Sequence, residues 1–127
     1  MDFDAHRGRH RLFLIFAATG GDEGFFRQDR LLENSGSGFD ERELVRGDLL
    51  EDGTGSLGGR TVSPEEASAA RERFGVDPGR FVALLVGKDG TAKQRFDEPV
   101  VPEDLYALID AMPMRRREMR ERGEGPS

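Results

Sequence analysis

The chain contains no cysteine. That absence removes disulfides, thiolate nucleophiles, iron–sulfur clusters and cysteine-ligated zinc at once. It leaves the compartment open, because a chain without thiols tolerates either redox environment. Histidine is scarce: His6 and His10 are the whole supply, and both sit in the polar N-terminus, so a Ser-His-Asp arrangement has no credible base. Lysine is nearly missing, with Lys88 and Lys93 set against seventeen arginines, a ratio that points to a GC-rich coding sequence. Long apolar runs are missing too. The longest is "LFLIFAA" at 12–18, far short of the ~20 residues a membrane span requires. Net positive charge is likewise lacking: the formal charge is −6 and the pI about 5.0, which argues against a nucleic-acid footprint over the whole surface.

What is present fits one domain of 127 residues, long enough to bury a core without staples. The organisation expected is a loose N-terminal tail at 1–10, a single domain at 11–122 and a disordered C-terminal tail at 123–127. The run at 12–18 follows "HRGRHR" and so imitates a signal peptide. Its apolar stretch is at the lower length limit, though, and "ATGGDE" makes a poor cleavage site. It is read as a buried strand, Arg11–Ala17, with the cytoplasm as the default location.

A helix follows over 25–34, with Phe25, Gln28 and Leu32 on one side, ended by "SGSG" at 35–38. Leu44–Leu50 is a weaker strand, and "EDGTGSLGGRT" at 51–61 reads as a flexible loop. Ser63, Pro64 and Glu66 give a cap, a first-turn proline and a capping box, and Gly75 suits a left-handed C-cap. "RFVALLVG" at 80–87 is a second fully buried strand. Asp89-Gly90 turns it into a polar return strand, "AKQRF". Leu105, Leu108, Ile109 and Met112 mark a last amphipathic helix, stopped by Pro113, which can also begin a further helical stretch. The order βαβ, α, β-hairpin, α describes an α/β fold: a thioredoxin-like three-layer sandwich with a four-stranded mixed sheet, order 2-1-3-4, and flanking helices.

Two segments, "FVALLVGKDGTAKQRF" and "LYALIDAMPMRRREM", carry a resemblance. Gly87, Lys88, Asp89, Gly90 and Lys93 in the first, with Ile109, Asp110, Met112, Pro113, Met114, Arg115, Glu118 and Met119 in the second, resemble the P-DUDES family. This is a bacterial domain of unknown function that also occurs in vertebrate sushi-repeat and matrix-associated proteins. Arg11 with its strand, and Arg42-Glu43, match its pattern more loosely. The resemblance implies a thioredoxin-like domain similar to peroxiredoxins, with no established activity, and it leaves export open. A peroxiredoxin carries a cysteine at the start of its first helix; here that region is "ATGGDEGFF", with Thr19 and glycines but no nucleophile, so thiol peroxidase and disulfide oxidoreductase activities are excluded. Arg80 stands near the place of the peroxiredoxin arginine that stabilises the thiolate, one residue further from Gly90.

The density of side chains at 109–121 offers two readings. In one, Met112, Met114 and Met119 fill gaps in a C-terminal lid and the charges are solvated pairs. In the other, Arg115 and Arg117, framed by Asp110 and Glu118 and supported by Lys88 and Arg80, offer planar donors to a carboxylate, phosphate or partner protein. The reading adopted is a non-redox binding domain for a protein partner or small acidic ligand. The alternative is an enzyme of non-thiol chemistry around Thr19, Arg80 and the same arginines. No cofactor and no metal are expected. His6 and His10 lack a third ligand, and "GTGSLGGRT" at 53–61 fails the phosphate-loop pattern at Thr54 and Arg60. The partner, the oligomeric state and any reaction stay unassigned.

Overall fold

Every residue of Arg11–Ala17 is buried, and this strand, β1, is the axis of the structure. The computed structural model describes residues 3–33 and 35–121, so the tail expected at 123–127 lies outside the described residues. Successive β1 side chains alternate between two cores. Leu12, Leu14 and Phe16 face one with Ala67, Ala70 and Val82. Phe13, Ile15 and Ala17 face the other with Phe25, Leu105 and Ile109. A strand covered on both faces needs a continuous apolar run, which is why "LFLIFAA" belongs here.

β1 pairs in parallel with β2 (Leu44–Leu50), Arg11 opposite Leu44 and Ala17 opposite Leu50, and antiparallel with β5 (Val82–Val86), Leu12 opposite Val86. β5 pairs with the exposed edge strand β6 (Ala92–Phe96) through the Asp89-Gly90 turn, where Gly90 has φ 83°. One face is covered by α3 (Pro64–Phe74). The other is covered by α1 (Glu23–Leu32) and α4 (Pro102–Asp110). α3 opens with the expected capping box, Glu66 N–H donating to Ser63 Oγ and Ser63 N–H to Glu66 Oε1, and ends at a left-handed Gly75.

The three-layer sandwich is as expected, and β2-β1-β5-β6 reproduces the order 2-1-3-4. Among the described residues the sheet nevertheless has six strands, with β3 (Ser56–Leu57) and β4 (Arg60–Thr61) added in the order β4-β3-β2-β1-β5-β6. The extra pair comes from the segment read as a flexible loop: β3 and β4 form a hairpin turned by Gly58 and Gly59, both at positive φ. It docks because Gly47 of β2 lacks a side chain; a Cβ there would lie 2.7 Å from Leu57 Cδ1 and 2.8 Å from Leu14 Cδ2.

Residues 3–10 are not a loose tail. Phe3 in a 3-10 turn (Phe3–Ala5) meets the Phe74 ring edge-on at 5.7 Å, and the Gly8 N–H donates to the Lys88 carbonyl at 2.7 Å. A further short helix, α2 (Gly38–Glu41), follows the "SGS" turn. Leu108, at the edge of the apolar stripe on α4, is exposed, whereas Leu105 and Ile109 are fully buried.

Candidate functional site

Pro113 begins a second helix, α5 (Pro113–Glu121), directly after α4. The break turns the chain back toward the start of β1 and the end of β5. Proline fits because a first-turn N–H has no intrahelical acceptor to lose. Two carboxylates fix the joint. Asp110 Oδ1 accepts from Arg42 Nε at 3.1 Å and Arg115 Nε at 3.2 Å, and its Oδ2 accepts from Arg42 Nη2 at 2.9 Å. Glu118 accepts both Nη1 and Nη2 of Arg11, each at 3.2 Å, and its Oε2 also accepts from Lys88 Nζ at 2.6 Å.

Backbone carbonyls complete the frame. Arg11 Nη1 donates to the Arg42 carbonyl at 2.8 Å and Arg115 Nη1 to the Glu41 carbonyl at 3.0 Å. Arg42 lies over the Tyr106 ring, 4.1 Å from its centroid, and donates to the Gly38 carbonyl. Lys88 Nζ also stands 3.4 Å from Glu43, and Arg42 stands 3.7 Å from Glu41. Four cations thus meet four carboxylates. Arg11 and Arg115 are buried, which only such pairing makes tolerable.

Burial acts to raise the Asp110 pKa, but hydrogen bonds and charge from Arg42 and Arg115 outweigh it and hold the carboxyl below its ordinary value. Glu118 behaves alike. Burial pushes it up, the bonds from Lys88 and Arg11 pull it down further, and it stays ionised.

Of the residues singled out in the sequence, Asp110, Arg115, Glu118 and Lys88 are brought together. Arg117 is exposed on α5 and joins none of these contacts. Arg80 stands apart, 55% exposed, its guanidinium 3.9 Å from Asp97. Thr19 Oγ1 accepts from the Gly21 N–H in a local turn, and Asp22 caps α1 by accepting from the Phe25 N–H. A carboxylate thus already occupies the helix N-terminus that would favour a thiolate. Met112 packs against the core, Met119 is half-buried, and Met114 is half exposed. Sequence reasoning missed Arg11 and Arg42 as site residues. The available signal was an arginine heading a strand buried on both faces, a place that demands a dedicated anion.

Between the hairpin turn and the joint lies a cleft of about 300 Å³, walled by Gly87, Lys88, Asp89 and Lys93 on one side and by Met112, Pro113 and Met114 on the other. The two motif segments therefore face each other across a mainly apolar space rimmed by amines.

The family described as "Domain of unknown function (DUF4174)" matches residues 2–118. Coiled-coil domain-containing protein 80 of Danio rerio is 35% identical over 130 residues, covering 89% of this chain. Sushi repeat-containing protein SRPX2 of Xenopus laevis is 24% identical over 114 residues, covering 87% of it. The chain spans only 15% of the first relative's length and 25% of the second's. Among solved structures, thioredoxin peroxidase I of Plasmodium yoelii aligns with a TM-score of 0.61 at 16% identity, over 97% of this chain and 81% of its own. A second Plasmodium yoelii structure, of Prx1a, gives 0.60 at 15%, over 100% and 84%. At such identities the likeness establishes the peroxiredoxin-like fold alone.

Proposed function

We propose that this chain, which belongs to the DUF4174 family of domains of unknown function, is a non-redox binding module that takes an acidic ligand or an acidic segment of a protein partner at its C-terminal joint. The observation that carries this reading is the cleft between Gly87–Lys93 and Met112–Met114. Methionine side chains adapt to an apolar group, and the neighbouring, part-exposed Lys93 amine favours a carboxylate beside it. Arg117 lies one helical turn from Met114 and so flanks the same face. Asp110, Arg115, Glu118 and Lys88 act as the rigid frame that presents the surface, since their charges are matched within the domain.

The test is a titration of the 15N-labelled domain with a short peptide carrying one leucine between glutamates, beside neutral and basic peptides of equal length. Saturable amide shifts at 87–93 and 112–117 are expected from the acidic peptide alone. The double variant Met114→Gln/Arg117→Glu, changed only at exposed positions, should lose them and keep its fold. Indifference of these amides to the acidic peptide, or an equal response to the basic one, would end the reading.

A further inference from the structure

The two edges of the sheet differ. β4 is only Arg60–Thr61, whereas β6 runs from Ala92 to Phe96, pairs with β5 alone and is exposed along nearly its whole length. The outer side of such a strand carries backbone N–H and C=O groups with no ladder partner. Ala83 and Leu85 face the core under α4, so Phe96 and Gln94, opposite them on β6, turn to that side. Arg95 turns to the other and donates to the Gly75 carbonyl at 3.1 Å. On α4, Val101, Asp104 and Leu108 recur along one flank at helical spacing. Tyr106, on the opposite flank, packs against Gly38 and under Arg42. The Val101 flank therefore turns toward β6, and Phe96, Val101 and Asp104 line one cavity there of about 590 Å³. An edge strand and a helix flank thus bound an open groove, which continues past Leu108 to Met112 at the cleft of the joint.

Side chains along the groove select its occupant. Val101, Leu108 and Met114 are three of the four large apolar side chains exposed among the described residues, and all three follow this line, so the occupant offers apolar groups. The two ends carry opposite charge. At the joint stand Arg117 and Lys93, the latter paired only within its own turn, to Asp89. At the far end stand Glu98 and Asp104, both exposed and neither in an ion pair among the described residues. A register shift opposite Leu85 and Val86 sets Lys93 out of the ladder, and a lysine with a bulge is how native edges resist indiscriminate pairing. A second copy of β6 fails on charge, since antiparallel pairing about Gln94 sets Lys93 of each copy against Arg95 of the other. We propose that an extended segment of a partner protein adds to β6 as a further strand. Its alternate apolar side chains lie against Val101 and Leu108, its acidic end at the joint and its basic end at Glu98 and Asp104. This rests on the reading of the cleft as an acid site and gives that partner its form and direction. The four residue steps from Lys93 to Asp97 span about 13 Å at ~3.3 Å each, so about six residues reach both ends.

The experiment uses the 15N-labelled whole chain and the peptide Lys-Lys-Thr-Val-Thr-Val-Glu-Glu. With its acidic end at the joint this peptide runs antiparallel to β6, the more stable pairing. Expected are saturable shifts at 94–96 and Val101 in addition to those at 87–93 and 112–117. Amide exchange should slow at alternate β6 residues, as their outward N–H groups gain acceptors. Glu98→Gln/Asp104→Asn, changed only at exposed positions, should weaken this peptide about tenfold and leave the response to the short acidic leucine peptide unchanged. Shifts at 87–93 and 112–117 without slowed exchange in β6 would overturn the added strand and leave the acid site standing. Unchanged affinity in the double variant would overturn the matched ends. Slowed β6 exchange that appears with protein concentration and no peptide would give the edge to a second copy and so overturn the proposal. Silence at all of these amides would end both readings.

Discussion

Glu118→Gln removes one negative charge and almost no volume, and so isolates the electrostatics of the C-terminal joint. Arg11 is 1% exposed and Lys88 8% exposed, and Glu118 is the carboxylate both of them hydrogen-bond. Removing one member of a buried ion pair costs about 3–5 kcal/mol, because the remaining charge is left uncompensated. Here the stranded cations keep some solvation: Arg11 retains the Arg42 carbonyl and Lys88 retains Glu43 at 3.4 Å. The expectation is therefore about 3 kcal/mol, a large share of the ~5–15 kcal/mol typical of a domain. Urea denaturation should show a lower midpoint with an unchanged slope. Glu121→Gln, on the exposed side of the same helix, should stay within about 0.5 kcal/mol.

The pH dependence supplies a second check. The folded-state pKa of Glu118 lies below its ordinary value of 4.5, so its contribution is fully present above that value and is lost as pH falls through the lower folded one. The gap between wild type and variant should be constant from neutrality to about pH 5 and should shrink below about pH 4. A midpoint equal to that of Glu121→Gln, or a gap that widens in acid, would refute the claim that Glu118 holds the joint.

Other sites give equally definite expectations. Gln28 is fully buried and mimics a strand partner, donating from Nε2 to the Val100 carbonyl at 3.0 Å and accepting the Val100 N–H at 2.9 Å. Gln28→Leu should cost about 2–4 kcal/mol by orphaning both groups, seen as lost hydrogen-exchange protection at Val100. Gly38→Ala would drive a methyl into the Tyr106 ring and tilt it from under Arg42, costing about 1–3 kcal/mol. The chain has one tyrosine and no tryptophan, so intrinsic emission reports on that ring alone. Ser63→Ala breaks the capping box of α3 and should lower stability by about 1 kcal/mol, with the loss read from the denaturation midpoint.

What could be read from the sequence was what local pattern encodes. An unbroken apolar run means a strand covered on both faces. Ser63-Pro64-Glu65-Glu66 means a helix start, and Asp89-Gly90 means a hairpin. Each rests on interactions within a few residues, and each stands in the structure. The β3–β4 hairpin was missed because its glycines also suit a floppy loop; what orders it is the bare surface of Gly47, on another strand. The partners of the charged residues were missed for a similar reason. Arg11 and Glu118 are 107 residues apart, and no periodicity pairs them. The clue was an energetic contradiction, a guanidinium at the head of a strand with no solvent face, which states that an anion must arrive without saying from where.

The same contradiction ranks the cations as ligand contacts. A carboxylate reaching Lys88 would have to displace Glu118 at 2.6 Å, and with it the bidentate clamp on Arg11 that holds α5 in place. Binding there would loosen the surface being bound. Lys93 is different. It is 38% exposed, and its partner Asp89, at 2.8 Å, also accepts from Thr91 within the turn. Asp89 therefore stays anchored if Lys93 swings to a ligand. Arg117 carries no burden in the joint. If the proposed acidic partner binds here, the economical contact pair is thus Lys93 and Arg117 around Met114, with Lys88, Arg115, Asp110 and Glu118 left in place. On the proposed reading, the most buried charges of the motif hold the joint in place, and the exposed Lys93 and Arg117 are left to meet an acidic partner.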